Sequence, residues 1–502
     1  MNEQLNFLNS NKKESDINQS TIIPNSLLDK FGGALVYSAI GDALGWPTEF
    51  GRYPNIVQKR FGKYYITDYI EWEKLIGGRY WGYREKIKEG SYSDDTQLTL
   101  SVARCIDSYG DFDADKFAYS ELPLWLSYER GGGKTIKTAA RAIMQSKKEW
   151  FLNFYKRREI DYRYAGANGA AMRIIPIALV NVNNEKRLYS DSFKNAIITH
   201  GHPRAILGSM IYASAINLLL KETNISREKI CDYLREVIET SSKFLKDIEW
   251  IRTWIQEWDK GATNGKFKEV FQQTRNEAKN YLDSIKKFLL LEDKNYYQLT
   301  RALGEYKGSG ISTVCVALYL FIKYIDNPEQ GIIKAVNMLG SDTDTIANFV
   351  GGLFGTYYGL SVIRKDLKER LQDKDYILKI ASQLHNIVTG KSLINHVPIK
   401  YFNKKELLLK ILAWEIGLRE MFWEALNEGD TIIHPALGKG KISRKETQNI
   451  QKEGYVVKLI EVIFDCGQTC IFHSRVANNG ELSDSLSKDL IKQKLTYFET
   501  EK

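Results

Sequence analysis

The sequence predicts a mainly α protein, with one large all-α domain followed by a small C-terminal β-barrel. Three observations predict it. Proline is scarce, nine in 502 residues, against ordinary usage of about 5%, and a chain short of proline sustains long uninterrupted helices. Apolar residues recur at helical spacing from residue 31 to residue 389. Beyond Gly429-Asp430 the apolar period shortens towards two, as strands require.

Composition narrows the class. Hydrophobic residues make up 43% and charged residues 26% of the chain, values that exclude disordered, collagenous and disulfide-scaffold proteins. A net charge of +9 permits an anionic partner without demanding one. The runs Lys147-Lys148 and Lys156-Arg157-Arg158 read as solvated helix faces. Five scattered cysteines, an odd number, fit a reducing cytoplasm better than a disulfide framework. The polar start MNEQLNFLNSNKKESDINQS is no signal peptide. No apolar run approaches the roughly 18 residues of a transmembrane span, so the expected setting is cytoplasmic, with no membrane partner.

In chain order, residues 1–24 are rich in Asn, Ser, Lys and Glu and are expected to form a disordered tail. Residues 25–395 form the helical domain. Its periodic segments are 31–45, 96–108, 115–129, 133–145, 169–181, 190–198, 203–221, 227–239, 311–325, 330–339, 343–359 and 374–389. The first is full of small residues, including Gly32, Gly33, Ala34, Ser38, Ala39, Gly41, Ala43 and Gly45, which let a neighbouring helix approach closely. Pro47 then ends it. Residues 243–300 read as further amphipathic helices. A helical linker is expected over 396–428, closed by the Gly429-Asp430 turn signal. In the small barrel and tail over 429–502, TIIHPAL, YVVKLIEVIFD and QTCIFHSR read as short strands punctuated by Gly-Lys-Gly and Asp-Cys-Gly.

Acids gather at two of the helix starts, in Ser93-Asp94-Asp95-Thr96 and Ser341-Asp342-Thr343-Asp344-Thr345. Such residues cap the free amides of a first turn and meet the helix dipole favourably. Capping uses one acceptor per helix, whereas two acids with flanking hydroxyls leave oxygens that repel one another unless a cation joins them. Hard divalent ions take oxygen ligands, so two such starts facing each other would make a binuclear Mg²⁺ site, with Mn²⁺ as a substitute. Spacing alone supports caps and metal equally. Glu49, in the loop after Pro47, is a third acid that favours metal. Asp42, on the small-residue helix, reads as a structural hydrogen-bond partner.

The remaining motifs are individually weak. Asn168-Gly169-Ala170 combines an Asn-Gly turn with a helix start whose amides suit a phosphate. His200 and His202 precede Pro203, which can start a helix, and hydrogen bonding or substrate contact suits them better than zinc. Gly308-Ser309-Gly310 offers another backbone-rich approach. Cys466, Cys470 and His473 lack a fourth zinc ligand and read as core or surface residues.

Taken in order, GDALGWPTEF, GSYSDDTQLTL, GANGAAMRIIPIAL, THGHPRAILGS, GSGISTVCVALYLF and NMLGSDTDTIANFVGGLFGTYYG resemble the ADP-ribosylglycohydrolase family over residues 25–395. The resemblance implies an all-α domain that hydrolyses an ADP-ribose glycosidic bond with two Mg²⁺ ions in a cleft. The implied ligands are Ser93, Asp94 and Asp95 from one helix start and Asp342, Asp344 and Thr345 from the other. Glu49 matches the family's glutamate near the metals. Asn168, Gly169 and Ala170 match its ribose and phosphate loop, and His200 and His202 its substrate loop. Cleavage at the ribose needs a carboxylate to take the proton of the attacking water, and Asp95 or Glu49 is expected to do so. The implied partner is an ADP-ribosylated protein or nucleic acid. A hydrolase of a free nucleotide or ADP-ribose-derived metabolite, and a non-catalytic ADP-ribose sensor, are the alternatives. The segment GDTIIHPALGKGKISRKE…YVVKLIEVIFDCGQTCIFHSR resembles the SH3- or Tudor-like barrel ending some bacterial DNA helicases. That similarity implies a protein or nucleic-acid partner for the barrel.

Overall fold

Helix α1 (Leu27–Gly45) is buried along almost its whole length because its glycines let a second backbone lie directly against it. The partner is helix α5 (Thr343–Tyr358). A Cβ on Gly33 would stand 2.2 Å from the Gly355 carbonyl oxygen, one on Gly41 2.1 Å from that of Ala347, and one on Gly351 2.2 Å from that of Tyr37. No side chain fits between the two helices. Their crossing therefore sets the end of α1 beside the start of α5, where the Thr343 hydroxyl donates to the Gly45 carbonyl at 2.9 Å.

The structure, a computed structural model, describes residues 26–49, 51, 53–146, 148–243, 250–391 and 426–477. The expected N-terminal tail, the linker up to residue 425 and the C-terminal tail beyond residue 477 lie outside the described residues. Helix α2 (Asp94–Ala103), helix α3 (Pro203–Lys221) and helix α4 (Gly310–Lys323) pack around the α1–α5 pair, with helix α6 (Lys374–Val388) against α1. Helix α3 is long and apolar enough to cross a membrane by length and composition, which the sequence reading missed, and its span is 94% buried inside the protein.

Several expected helices are shorter than their periodicity. Helix α2 stops at Ala103, because the chain turns back so that Asp113 donates to the Cys105 carbonyl. The 115–129 segment divides into Ala114–Lys116, a wider turn over Phe117–Glu121 and Leu122–Trp125, where Pro123 has no amide to continue the first. In place of a helix over 169–181 there is one tight turn, Asn168–Ala170, then a helix Ile175–Val180 with Pro176 in its first turn.

A hairpin that periodicity did not reveal lies between α1 and α2, pairing β1 (Trp72–Ile76) with β2 (Tyr83–Ile87). At the C-terminus four antiparallel strands, β3 (Thr431–His434), β4 (Gly438–Asn449), β5 (Tyr455–Phe464) and β6 (Thr469–Ala477), follow one another as a small half-barrel sheet. Strand β4 runs straight through the Gly-Lys-Gly that reads as punctuation. Gly440 is needed there because a Cβ would meet the Phe464 ring at 2.6 Å. Cys470 is a core residue and His473 lies against the Tyr83 ring at 5.1 Å. The sheet packs on the helical domain: Arg104, bonded to Glu121 at 2.9 and 2.7 Å, also donates to Gln468 at 2.7 Å.

Candidate active site

The site is built from two helix starts and one turn. At α2, Ser93 is the N-cap and its hydroxyl accepts from the Asp95 amide at 3.3 Å. Asp94 and Asp95 occupy the first turn, both buried. The Asp95 Oδ2 atom has no hydrogen-bond partner among the described residues. At α5, Asp342 holds the cap position and Asp344 lies in the first turn. Between them, Glu49 follows the turn Trp46–Thr48, which the Thr48 hydroxyl ties to the Gly45 and Val336 carbonyls at 2.8 and 2.7 Å.

These elements bring oxygens of Glu49, Asp342 and Asp344 within 4.8 Å of one another. Asn168 enters from its turn and donates to Asp342 Oδ2 at 2.7 Å. The remaining members of that turn point elsewhere: the Gly169 carbonyl accepts from Arg173 at 2.9 Å and the Ala170 carbonyl from Asn195 at 2.9 Å. His200 is enclosed behind the turn, its Nδ1 2.8 Å from the Thr199 hydroxyl and its Cε1 2.9 Å from where a Gly169 Cβ would stand. Burial and Arg173 push its imidazole down to about 3, so it is neutral. His202 caps α3, accepting from the Arg204 amide at 3.1 Å. Burial and Arg204 hold it at about 4. Of the residues singled out in the sequence, Glu49, Asp94, Asp95, Asp342, Asp344, Thr345 and Asn168 converge, whereas His200 and His202 form a layer behind.

The electrostatics of the convergence are unfavourable to anions. Burial, joined by the neighbouring carboxylates, raises Asp94, Asp95 and Asp344 well above the usual carboxylate range. Glu49 is pushed up to about 7, first by burial and then by Asp342. The neighbouring Thr345 side chain opposes the rise at Asp95. Two ammonium groups oppose the rise: Lys74 acts on Asp94 and Glu49, and Lys307 on Glu49. Neither lysine stood out in the sequence, although Lys74 sits between Trp72 and Ile76 in an alternating strand. Among the described residues, two ammonium groups do not balance five carboxyls. An all-oxygen donor set with a buried, unbonded carboxylate oxygen is the chemistry that hard divalent cations accept, so the residues fit a metal centre of the Mg²⁺ type.

A family model described as ADP-ribosylglycohydrolase matches residues 23–393. The chain is 25% identical over 372 residues to an ADP-ribosylarginine hydrolase of Serratia proteamaculans, covering 72% of this chain and 81% of that protein. It is 24% identical over 318 residues to ADP-ribosylhydrolase ARH3 of Gallus gallus, covering 59% and 78%. It is 29% identical over 194 residues to an ADP-ribosyl-[dinitrogen reductase] glycohydrolase of Rhodospirillum rubrum, covering 37% and 58%.

Proposed function

The chain belongs to the ADP-ribosylglycohydrolase family, and from that premise we propose that it removes ADP-ribose from a modified protein or nucleic acid by hydrolysing the glycosidic bond. Two Mg²⁺ ions, replaceable by Mn²⁺, would be held by Ser93, Asp94 and Asp95 on one side and by Asp342, Asp344 and Thr345 on the other. The carrying observation is the approach of Glu49, Asp342 and Asp344 to within 4.8 Å, together with Asp95, whose buried Oδ2 has no hydrogen-bond partner among the described residues. The named hydrolases among its relatives support ADP-ribose as the group released.

Metal ions held there would supply Lewis acidity towards the sugar and the attacking water. The chain's own residues supply position and proton transfer. Asp42 orients the first turn of α2 by accepting the amides of Ser93 and Thr96. Asn168 holds Asp342 in place and borders the space that the ribose would occupy. Glu49, which stands beside Asp342 and Asp344, and Asp95 are the carboxyls suited to take a proton from water.

The test offers the full chain ADP-ribosylated arginine, ADP-ribosylated serine, ADP-ribosylated nucleic acid and free nucleotides, with Mg²⁺ or with EDTA, and follows released ADP-ribose. Mg²⁺-dependent release from at least one modified macromolecule is expected. Turnover of free nucleotides alone, or tight ADP-ribose binding with no turnover of any substrate, overturns the proposal.

A further inference from the structure

The hairpin β1–β2 is the physical link between the acidic cleft and the C-terminal sheet, and its inner face is divided into three. At one end Trp72 and Ile87, partners across the hairpin, pack with Trp46 beside the site; the Trp46 and Trp72 ring centroids are 5.3 Å apart. In the middle Lys74 faces Glu85, and Glu85 is paired with Arg130 at 3.0 Å with both side chains buried. At the far end Ile76 faces Tyr83, and these pack on Val457, Leu459 and Ile471 of the C-terminal sheet. The hairpin tip is fastened there as well. Arg475 donates to the Trp81 carbonyl at 2.8 Å, the Lys452 amide donates to the Tyr80 carbonyl at 3.0 Å, and the Trp81 and Tyr455 rings meet at 5.0 Å.

The middle segment delivers a charge. Lys74 Nζ is buried, 4.6 Å from the Trp46 ring centroid. Gly131 makes room for it: a Cβ at Gly131 would meet Lys74 Nζ at 3.1 Å and Asp94 Oδ1 at 3.2 Å. The ammonium thus lies at the edge of the carboxyl cluster, and its field reaches both Asp94 and Glu49.

We propose that the C-terminal sheet is a working part of the cleft: by clamping the hairpin it holds the Lys74 ammonium beside Asp94 as a fixed counter-charge that limits how tightly the acids take up divalent cations. This rests on reading the acidic cluster as a metal centre. A fixed positive charge attracts the acids and repels an incoming cation, so it steadies the metal-free cleft while weakening the metal's hold. Lys74 is in this sense a positioning residue, and the sheet governs it from a distance.

The experiment is calorimetric titration of the full chain with Mg²⁺, alongside circular dichroism. Lys74→Met, which keeps the apolar stem, is expected to bind Mg²⁺ roughly fivefold or more tightly, while Lys74→Arg binds like the parent. Leu459→Ala, in the clamp, is expected to shift affinity in the same direction, and combining it with Lys74→Met to add nothing further. Should Leu459→Ala fail to fold, the surface variant Arg475→Ala tests the clamp in its place. Lys74→Met affinity within twofold of the parent, or weaker, overturns the counter-charge. A folded clamp variant with parental affinity overturns the role of the sheet. Absence of Mg²⁺ uptake by the parent overturns the metal centre itself, and this inference with it.

Discussion

Asp42 accepts two hydrogen bonds from a single residue, Thr96: one from its backbone amide at 3.1 Å and one from its hydroxyl at 2.6 Å. The Ser93 amide adds another at 3.0 Å. A carboxylate on α1 thereby caps the first turn of α2 from outside, and the acids of that turn are aimed by a residue of another helix. The structure thus agrees with the sequence reading of Asp42 as a structural partner.

Replacing Asp42 with Ala leaves three buried donors unbonded, which is expected to cost about 3 kcal/mol or more. Urea unfolding of the metal-free protein measures it. A loss under about 1 kcal/mol would show that water or a neighbour replaces the carboxylate.

Asp344→Asn separates function from stability. The buried Asp344 carboxyl is raised by burial and by Glu49, Asp342 and Asp95, so neutralising it relieves repulsion in the metal-free protein. The expected result is a higher Tm than the parent in EDTA, a smaller rise on adding Mg²⁺, and ADP-ribose release reduced at least about 100-fold. Parental activity in this variant would remove Asp344 from the proposed metal centre.

The close crossing of α1 and α5 predicts a sharp sensitivity at Gly33. A methyl group there would sit 2.2 Å from the Gly355 oxygen, so Gly33→Ala must push the helices apart, at a cost of about 3 kcal/mol or more. Gly62→Ala is the control. Its φ of 69° carries strain, but nothing lies within 4 Å, so about 1 kcal/mol is expected. Equal losses from chemical denaturation would contradict the packing account.

Acid should weaken the protein through its histidines. His200 and His434 are held near 3, and His202 and His473 near 4, by burial and neighbouring arginines. The unfolded chain protonates them near 6.5, so between 6.5 and about 4 it carries protons that the folded chain refuses. Stability from these groups is complete above 6.5 and is lost as the pH falls through that window. His434 Nδ1 accepts from the Ala436 and Leu437 amides, a role Asn can copy. His434→Asn should therefore flatten the slope of stability against pH by about one proton relative to the parent. Parallel slopes from pH 7 to 4 would refute this.

Much of the fold was legible because its signals are local. Scarce proline and helical periodicity announce long helices, and Ser93 and Asp342 stand at the cap positions that residues of their type favour. The acids of the cleft were legible as residues for the same reason. Their assembly was not. Thr343 and Gly45, which lock the end of α1 to the start of α5, are 298 positions apart. Only glycine faces meeting backbone to backbone bring such positions together, and no pattern along the chain records that meeting. The hairpin was missed because its alternation lasts five residues per strand, too short to stand out from neighbouring loops. With it went Lys74, whose importance comes from the carboxyls it meets in space. Local chemistry, in short, names the helices and their caps, while the distances that turn capping acids into a site depend on which surfaces pack.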